Sequence, residues 1–316
     1  MSNDSNNMAT LWRPQHEIQF VAGTPPGGGQ DRPARALIEV LAAMKLVGQP
    51  VKLLNIAGRG GANAWDYLMK HRGDPHVLAI TSPTIISNQL LGVSEVSYND
   101  LTPLANLYTE YAAFIVRSDS TIMNAHDLLQ RLKADASSVQ IALATAIGNT
   151  NHIALAQVTK HSGGDVRALP ISIFDSARDA VAHVVAGKSE LGVITAASAV
   201  PEMMAGLLRT VAVSAPARLG GLFHDCPTWV ESGVESSVGM WRGVIAPPDI
   251  PVSAVGFWHQ TLAAAVEATA WKDTLKQQFW VSAFFAPDTV REFLGHEHDH
   301  MVDVLGELGL LKARQS

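Results

Sequence analysis

The sequence predicts an α/β fold made of two similar units. Short apolar segments typical of strands alternate with amphipathic segments typical of helices, and turns of small residues join them. This order of strand, turn and helix occurs once over residues 18–117 and again over residues 140–214. Alternation of this kind is typical of parallel sheets covered by helices. Its repetition predicts two domains that face each other.

Each predicted element follows from the hydrophobic pattern. In the first helix, Ala34, Leu37 and Leu41 fall on one face, as the helical period requires. The predicted strands are residues 18–23, 51–55, 77–81, 111–116, 140–145, 167–171, 191–195, 210–214 and 240–246. The predicted helices are residues 32–44, 62–71, 85–91, 125–134, 151–161, 176–186 and 201–206, and most of the chain beyond residue 246 is expected to be helical.

The composition excludes several classes of protein. The 316 residues carry a formal net charge of −6 and contain no run of lysine or arginine, so nucleic acid is not an expected partner. No apolar stretch approaches the roughly 18 residues that a membrane span needs. Charged residues make up 16% and hydrophobic residues 47%, which predicts a compact globular protein. The single cysteine, Cys226, excludes an internal disulfide.

The first ten residues are mostly polar, and residues 1–13 are expected to form a disordered N-terminal segment. They have neither the basic region nor the apolar region of a signal peptide. We therefore expect either a cytosolic protein or a mature chain whose leader has been replaced.

The most informative segment is the turn at residues 25–31, PPGGGQD, which joins the first strand to the first helix. Glycines let the backbone approach a ligand, and the free amides and positive end of the following helix point into the turn. This pattern favours an anion held by backbone donors, without an arginine. A purely structural turn is the alternative. Asp31 is expected to be the N-cap of the helix, because an acid at the ligand would repel a carboxylate.

The common nucleotide-binding motifs do not fit this chain. The Rossmann fingerprint, counted from Gly27, reaches Arg32 where glycine or alanine is needed. The GKS at residues 187–189 resembles the end of a P-loop, but Ala182 stands where the first glycine of that motif belongs. The sequence therefore gives no sign of a nucleotide or another cofactor.

Ligands bind in open α/β sheets beyond the carboxyl ends of the strands. Four predicted strands are followed there by short turns, at residues 26–29, 82–84, 148–151 and 195–198. All four are small and uncharged, and most can donate hydrogen bonds, so together they outline a cleft. The candidate ligand-binding residues are Pro26, Gly27, Gly28, Ser82, Thr84, Gly148, Asn149, Thr150, His152, Thr195 and Ser198. His152 has two interpretations: a direct contact to the ligand, or a histidine that satisfies carbonyl groups of its own turn.

The chain resembles the substrate-binding proteins of tripartite tricarboxylate transporters, the Bug or TctC-like family of periplasmic receptors. Four motifs carry the resemblance in the right order: PPGGGQD at 25–31, NIAGRGGA at 55–62, GNTNH at 148–152 and MWRGVIAP at 240–247. Similar segments are RTVAVS at 209–214, CPTWVESG at 226–233 and LGELGL at 305–310. The resemblance covers about residues 14 to 312.

This resemblance implies an α/β periplasmic-binding-protein-like clamshell with two hinge strands, at 111–116 and 241–246. One lobe would be residues 14–115 plus 239–316, and the other would be residues 116–238. It implies a monomeric periplasmic receptor without catalysis or cofactor, which binds a small di- or tricarboxylate-like molecule and delivers it to a membrane permease.

The second lobe departs from the usual family pattern. SIFDS at 172–176 replaces the common Tyr-Lys-Gly-Gly, and ITAA at 194–197 replaces Phe-Asp-Asn. These positions would face the distal end of the ligand. The resemblance therefore implies where the first carboxylate of the ligand binds more clearly than it implies what the rest of the ligand is.

Two other functions remain open at this stage. The first is a cytosolic carboxylate sensor that uses the same clamshell to signal. The second is a zinc hydrolase, because HEHDH at residues 296–300 fits His-Glu-x-x-His and would place His296 and His300 on one helix face. The only acids that follow, Asp303 and Glu307, lie near the same helix, so a solvated helix face is the main interpretation of this segment.

Overall fold

The computed structural model describes residues 12–311. Its strands are β1 Ile18–Ala22, β2 Val51–Asn55, β3 Val77–Thr81, β4 Thr102–Arg117, β5 Ile141–Ala144, β6 Ile171–Phe174, β7 Leu191–Thr195, β8 Leu208–Val213, β9 Gly239–Ala246 and β10 Val281–Phe285. Its α-helices are α1 Asp31–Ala43, α2 Ala62–Lys70, α3 Thr84–Leu90, α4 Ala125–Asp135, α5 Thr150–Ser162, α6 Ala177–Val185, α7 Ala196–Met204, α8 Val252–Glu267, α9 Thr269–Gln277 and α10 Pro287–Glu307.

The strands form two parallel sets that meet on one long strand, β4. In the first set β2, β1 and β3 are parallel, and β9 joins them to β4 by antiparallel pairing. In the second set β6, β5 and β7 are parallel, and β7 pairs antiparallel with β4. The strand order is β2-β1-β3-β9-β4-β7-β5-β6, and β8 and β10 also pair with β4. The predicted α/β fold with two parallel units is confirmed.

The two halves of β4 belong to different sets. Tyr111 is the last residue of β4 that pairs with β9, and Ala112 is the first that pairs with β7. The chain returns to the first set at the start of β9. Ser214 joins the two crossings, because its hydroxyl accepts a hydrogen bond from the Ala112 amide (3.0 Å) and donates one to the Val238 carbonyl (3.1 Å). The fold is thus a two-lobed clamshell with β4 and β9 as its hinge strands.

The lobe boundaries at residues 115, 116, 238 and 239 stay a prediction. The predicted division places α10 in the first lobe, but the end of this helix contacts the second parallel set. Lys160 on α5 forms an ion pair with Glu307 on α10 at 2.7 Å. Leu305 lies 3.6 Å from the position that a Cβ on Gly148 would occupy.

Apolar faces of the helices cover both sheets. α1 buries Ala34, Leu37 and Leu41 against the first sheet, on the face that the sequence predicts. All five residues of β7 are buried, as is typical of a parallel strand covered on both sides. Trp229 packs edge-on against Phe114 of β4, with ring centroids 4.9 Å apart. None of the helices within residues 12–311 is long and apolar enough to cross a membrane.

Most of the predicted N-terminal segment lies outside the described residues. The two described residues in it are Trp12 and Arg13, and the Trp12 ring packs against Phe257 and Trp258 of α8, at centroid distances of 5.3 and 6.0 Å.

The predicted strand at residues 167–171 is wrong. Residues Val166–Ala168 form a single 3-10 turn, and β6 begins only at Ile171. The Asp165 side chain accepts a hydrogen bond from the Arg167 amide and so favours the turn. Pro170 has no amide hydrogen to donate to a ladder, which delays the strand further.

Three other elements differ from the prediction in extent. β4 begins at Thr102, nine residues before the predicted start at Tyr111. α7 begins at Ala196, directly after β7, and ends at Met204. The segment beyond β9 is mostly helix, as predicted, but it also contains β10, which pairs antiparallel with the first half of β4.

Removing the Ser214 hydroxyl should destabilise the fold at the hinge. A Ser214→Ala change leaves the buried Ala112 amide and Val238 carbonyl without their partner, and we expect a loss of about 1–3 kcal/mol in the free energy of unfolding. The measurement is urea denaturation beside Ser253→Ala, a change at an exposed serine of α8. Equal stability of the two variants would contradict the role given to Ser214.

Candidate functional site

The turn between β1 and α1 is closed by its own hydrogen bonds. The Gly28 amide donates to the Pro25 carbonyl at 3.0 Å, and the Gly27 amide donates to the Asp31 carboxylate at 2.8 Å. The Thr24 hydroxyl accepts from the amide of Asp31 at 3.2 Å. These bonds engage the amides of Gly27 and Gly28, which the sequence pattern predicts as donors to an anion. The Gly29 amide has no partner among the described residues.

Asp31 holds this turn in shape, although it is not the N-cap that the sequence predicts. α1 begins at Asp31 itself, and Gln30 is the N-cap residue. The Asp31 carboxylate also accepts from Asn55 at 2.8 Å and pairs with Arg35. Burial raises the pKa of this carboxyl, but the hydrogen bonds from Arg35, Gly27 and Asn55 outweigh burial and hold the pKa below its ordinary value.

Arg242 on β9 lies directly beneath the glycine turn. Its Nε donates to the Gly29 carbonyl at 3.2 Å, and its Nη2 pairs with Glu110 of β4 at 2.6 Å. Only 5% of the Arg242 side chain and 3% of the Glu110 side chain is exposed. A Cβ on Gly29 would sit 3.1 Å from Arg242 Nη2, so glycine gives this guanidinium its room. The buried ion pair therefore joins both hinge strands to the turn.

The second candidate turn, after β3, is connected to the first through Gln30. The side-chain carboxamide of Gln30 donates through Nε2 to the Ser82 hydroxyl at 3.4 Å and accepts through Oε1 from the Gly23 backbone amide at 2.8 Å. The hydroxyls of Ser82 and Thr84 are 2.7 Å apart. The structure thus brings Gly27, Gly28, Ser82 and Thr84 into one hydrogen-bonded region, with Pro26 exposed at its edge.

The turn after β5 is organised by Asn149. Its carboxamide caps α5 by accepting from the His152 amide (3.0 Å) and anchors the turn by donating to the Ala144 carbonyl (2.6 Å). Thr150 is the first residue of α5 and is buried, and its hydroxyl makes no hydrogen bond within residues 12–311. An unpartnered hydroxyl at a helix N-terminus is a donor available to an anion.

The His152 ring hydrogen-bonds to its own turn, but not to the carbonyl groups that the sequence analysis expected. Its Nδ1 accepts the Gly148 amide at 3.0 Å, so it binds an amide of the turn rather than a carbonyl. Burial lowers the pKa of this imidazole below the ordinary value for histidine. The ring is therefore neutral at pH 7, with its proton on Nε2.

The fourth turn contributes a pair of hydroxyls. Thr195, the last residue of β7, lies 2.9 Å from the Ser198 hydroxyl at the start of α7. No hydrogen bond within residues 12–311 joins the turns of the second set to the glycine turn. Gly148 instead faces Leu91, since a Cβ there would lie 2.8 Å from that side chain. The structure thus forms two separate groups of candidate residues, one in each set.

The HEHDH segment at residues 296–300 lies on α10, and the inward-facing residue in it is Glu297. His296 and His300 are exposed, whereas Glu297 accepts a hydrogen bond from the Trp241 indole at 3.1 Å. Burial raises the pKa of Glu297, with Trp241 and His300 acting in the opposite direction. Within the described chain, the one trio of potential metal ligands that lie close together is His16, Asp74 and His76, at the far end of the first sheet.

The architecture defines the class of protein. Two parallel units share hinge strands, and each presents small, uncharged turns and a helix N-terminus at the carboxyl ends of its strands. This is the arrangement of a solute-binding protein. The chain belongs to the tripartite tricarboxylate transporter family receptors, whose family model, TctC, matches residues 34–307.

Solved structures agree with this fold. An R. palustris protein with adipate has a TM-score of 0.83 at 21% identity, covering 94% of this chain and 98% of that one. The periplasmic binding protein BugD has a TM-score of 0.81 at 20% identity, covering 95% and 100% of the two chains. MatC from Rhodopseudomonas palustris with bound malate has a TM-score of 0.78 at 20% identity, covering 92% and 99%.

The sequence pattern places Arg242 in a hinge motif but does not indicate its contact with the glycine turn. The available signal was a single arginine within the apolar strand MWRGVIAP, which needs a buried partner. Glu110 is 132 residues earlier in the chain, so the sequence alone does not pair them.

Breaking the Glu110–Arg242 pair should be costly. Arg242→Leu leaves a buried, unpaired Glu110 carboxylate and should reduce the free energy of unfolding by about 3–5 kcal/mol. Arg218→Leu is the matched control, because its pair with Glu231 at 2.9 Å is about half exposed and should contribute only about 0–1 kcal/mol. Chemical denaturation compares the two variants, and similar small losses would show that the buried pair does not anchor the hinge.

Proposed function

We propose that this protein is an extracytoplasmic solute receptor for a small organic carboxylate. The ligand, di- or tricarboxylate-like, binds between the two lobes and is handed to the membrane permease of a tripartite tricarboxylate transporter. The receptor acts as a monomer in the periplasm and has no catalytic role. The observation that carries this proposal is the family match over residues 34–307. Adipate and malate in the two R. palustris structures support a carboxylate as the ligand class.

The geometry of the turns supports binding through uncharged donors. In the first lobe the free amide of Gly29 and the hydroxyls of Ser82 and Thr84 lie around the N-terminus of α1. In the second lobe Thr150 offers its hydroxyl at the N-terminus of α5. The positive ends of both helices favour an anion.

Arg242 adds to this proposal without acting as the counter-ion of the ligand. Glu110 compensates its charge, and its Nε is already bonded to the Gly29 carbonyl. That bond orients the Gly29 peptide group, so that its carbonyl faces the hinge.

The remaining candidates shape the turns that carry the donors. They are Pro26, Gly27, Gly28, Gly148, Asn149, Thr195 and Ser198.

A carboxylate sensor with the same clamshell is the second candidate function. It shares the ligand site and differs in the partner and the compartment. The upstream coding sequence distinguishes the two, because a receptor of the periplasm requires a leader.

The glycine turn gives the sharpest test of the ligand site. A Cβ on Gly28 would sit 2.6 Å from the Thr24 hydroxyl oxygen and 2.9 Å from the Pro25 carbonyl oxygen, so Gly28→Val must deform the turn. We expect a thermal-shift screen of mono-, di- and tricarboxylates, malate and adipate included, to give a rise in Tm for the unchanged protein and none for Gly28→Val.

Gly48→Val is the matched control, because a Cβ there meets nothing within 4 Å. It should respond to the same carboxylate as the unchanged protein. Circular dichroism of each variant without ligand checks that the fold is kept. A full ligand response in Gly28→Val would rule out the proposed site, and no response of the unchanged protein to any carboxylate would rule out the function.

A further inference from the structure

A cavity of 390 Å³ lies between the second lobe and the segment that follows α10. Its walls include the aliphatic side chains of Ile147, Leu169, Leu308 and Leu310. No residue of the glycine turn or of the Ser82–Thr84 turn lines it. The volume falls within the range of about 300–1,000 Å³ that is typical of small-molecule sites.

Two polar side chains line this aliphatic cavity, and both are donors. His152 is 94% buried, and because its Nδ1 accepts the Gly148 amide, its neutral ring carries the proton on Nε2. That Nε2–H has no partner among residues 12–311. Arg167 is the second donor; it is exposed at the mouth of the cavity, and its guanidinium forms no ion pair with any carboxylate of the described chain.

Two unused donors among aliphatic side chains define the complementary ligand. Its polar end must be an acceptor, and an anion matches the guanidinium best, because charge-assisted hydrogen bonds are the stronger ones. Its body should be apolar, since the other side chains that line the cavity are aliphatic. An alcohol or amine would leave the guanidinium unmatched, and a hydroxylated dicarboxylate would bury polar groups against leucine.

We propose that this cavity is a second binding site, which takes a carboxylate with an apolar body such as a medium-chain or aromatic acid. The carboxylate accepts hydrogen bonds from His152 Nε2 and Arg167, and the hydrocarbon body packs against Leu308 and Leu310. This site is separate from the glycine turn and does not depend on the proposed transport function. Because His152 also holds the Gly148 amide, an occupant of the cavity contacts the same ring that shapes the turn before α5.

Isothermal titration with hexanoate and benzoate tests the proposal. Both should bind, whereas acetate lacks the apolar body and hexanol lacks the carboxylate, so these two should not. Arg167→Gln should weaken hexanoate by about tenfold or more, as expected for the loss of a charge-assisted hydrogen bond. The matched control is Arg178→Gln, at an exposed arginine of α6 that does not line the cavity, and it should bind hexanoate as the unchanged protein does.

Two further measurements separate this site from the glycine turn. Hexanoate should still bind the Gly28→Val variant, and it should shift the ¹⁵N resonances of the His152 ring in the unchanged protein. The proposal is overturned if neither acid binds. It is also overturned if binding is lost in Gly28→Val and unaffected by Arg167→Gln, because the acids then occupy the glycine turn.

Discussion

The buried ion pair between Glu110 and Arg242 is the interaction on which the rest of the site depends. It joins the two strands that connect the lobes, and Arg242 continues the contact to the Gly29 carbonyl. An unpaired charge at this depth would be strongly unfavourable, so each partner requires the other. The position of the glycine turn is therefore set by the hinge strands rather than by the turn alone.

The opposite face of the same strands is held by a different contact. Trp241 points away from the glycine turn and donates to Glu297 of α10, while Arg242 points toward the turn. Alternation along β9 thus connects the glycine turn on one face to the C-terminal helix on the other. Ser214 adds the connection to the second lobe, where the chain crosses between the sheets. A movement of one lobe must bend strands whose side chains are fixed on both faces.

The glycine turn is closed by its own hydrogen bonds. The sequence suggested that several glycine amides face an anion, but Gly27 and Gly28 are engaged by Asp31 and Pro25. What the turn offers instead is a rigid frame with few free donors, so less ordering of the backbone is required on binding. In the second lobe Asn149 has the same function, because its side chain caps α5 and anchors the turn to β5.

Local patterns predicted most of the fold. The small-residue turns and the amphipathic face of α1 are encoded in short stretches of sequence, and the structure has them in the expected order. The errors arise where a distant partner or a local cap decides the structure. β10 is a strand because it pairs with β4, about 175 residues earlier in the chain, and an isolated VSAFF between helices does not reveal that. β6 begins late because Asp165 stabilises a turn that competes with the strand.

The candidate site was predictable in its residue types but not in its connections. Turn composition predicts Ser82, Thr84 and Thr150 as hydroxyl donors to a ligand, and that role stays a prediction. It did not reveal that His152 accepts an amide, nor that Arg242 lies beneath Gly29, because both contacts depend on side-chain directions set by packing. At residues 296–300 the sequence favours a solvated helix face, and His296 and His300 are exposed, but the pattern did not reveal that Glu297 is turned inward, toward Trp241.

We propose that a carboxylate bound to the turns of both lobes draws the hinge strands into a closed form. Small-angle X-ray scattering of the protein, alone and with the carboxylate that raises Tm most, tests it directly. Because a ligand that bridges both lobes favours the closed state, the account predicts a smaller radius of gyration with the ligand than without it. The same radius of gyration in both states, at saturating ligand, would contradict the account and indicate a rigid, preformed pocket.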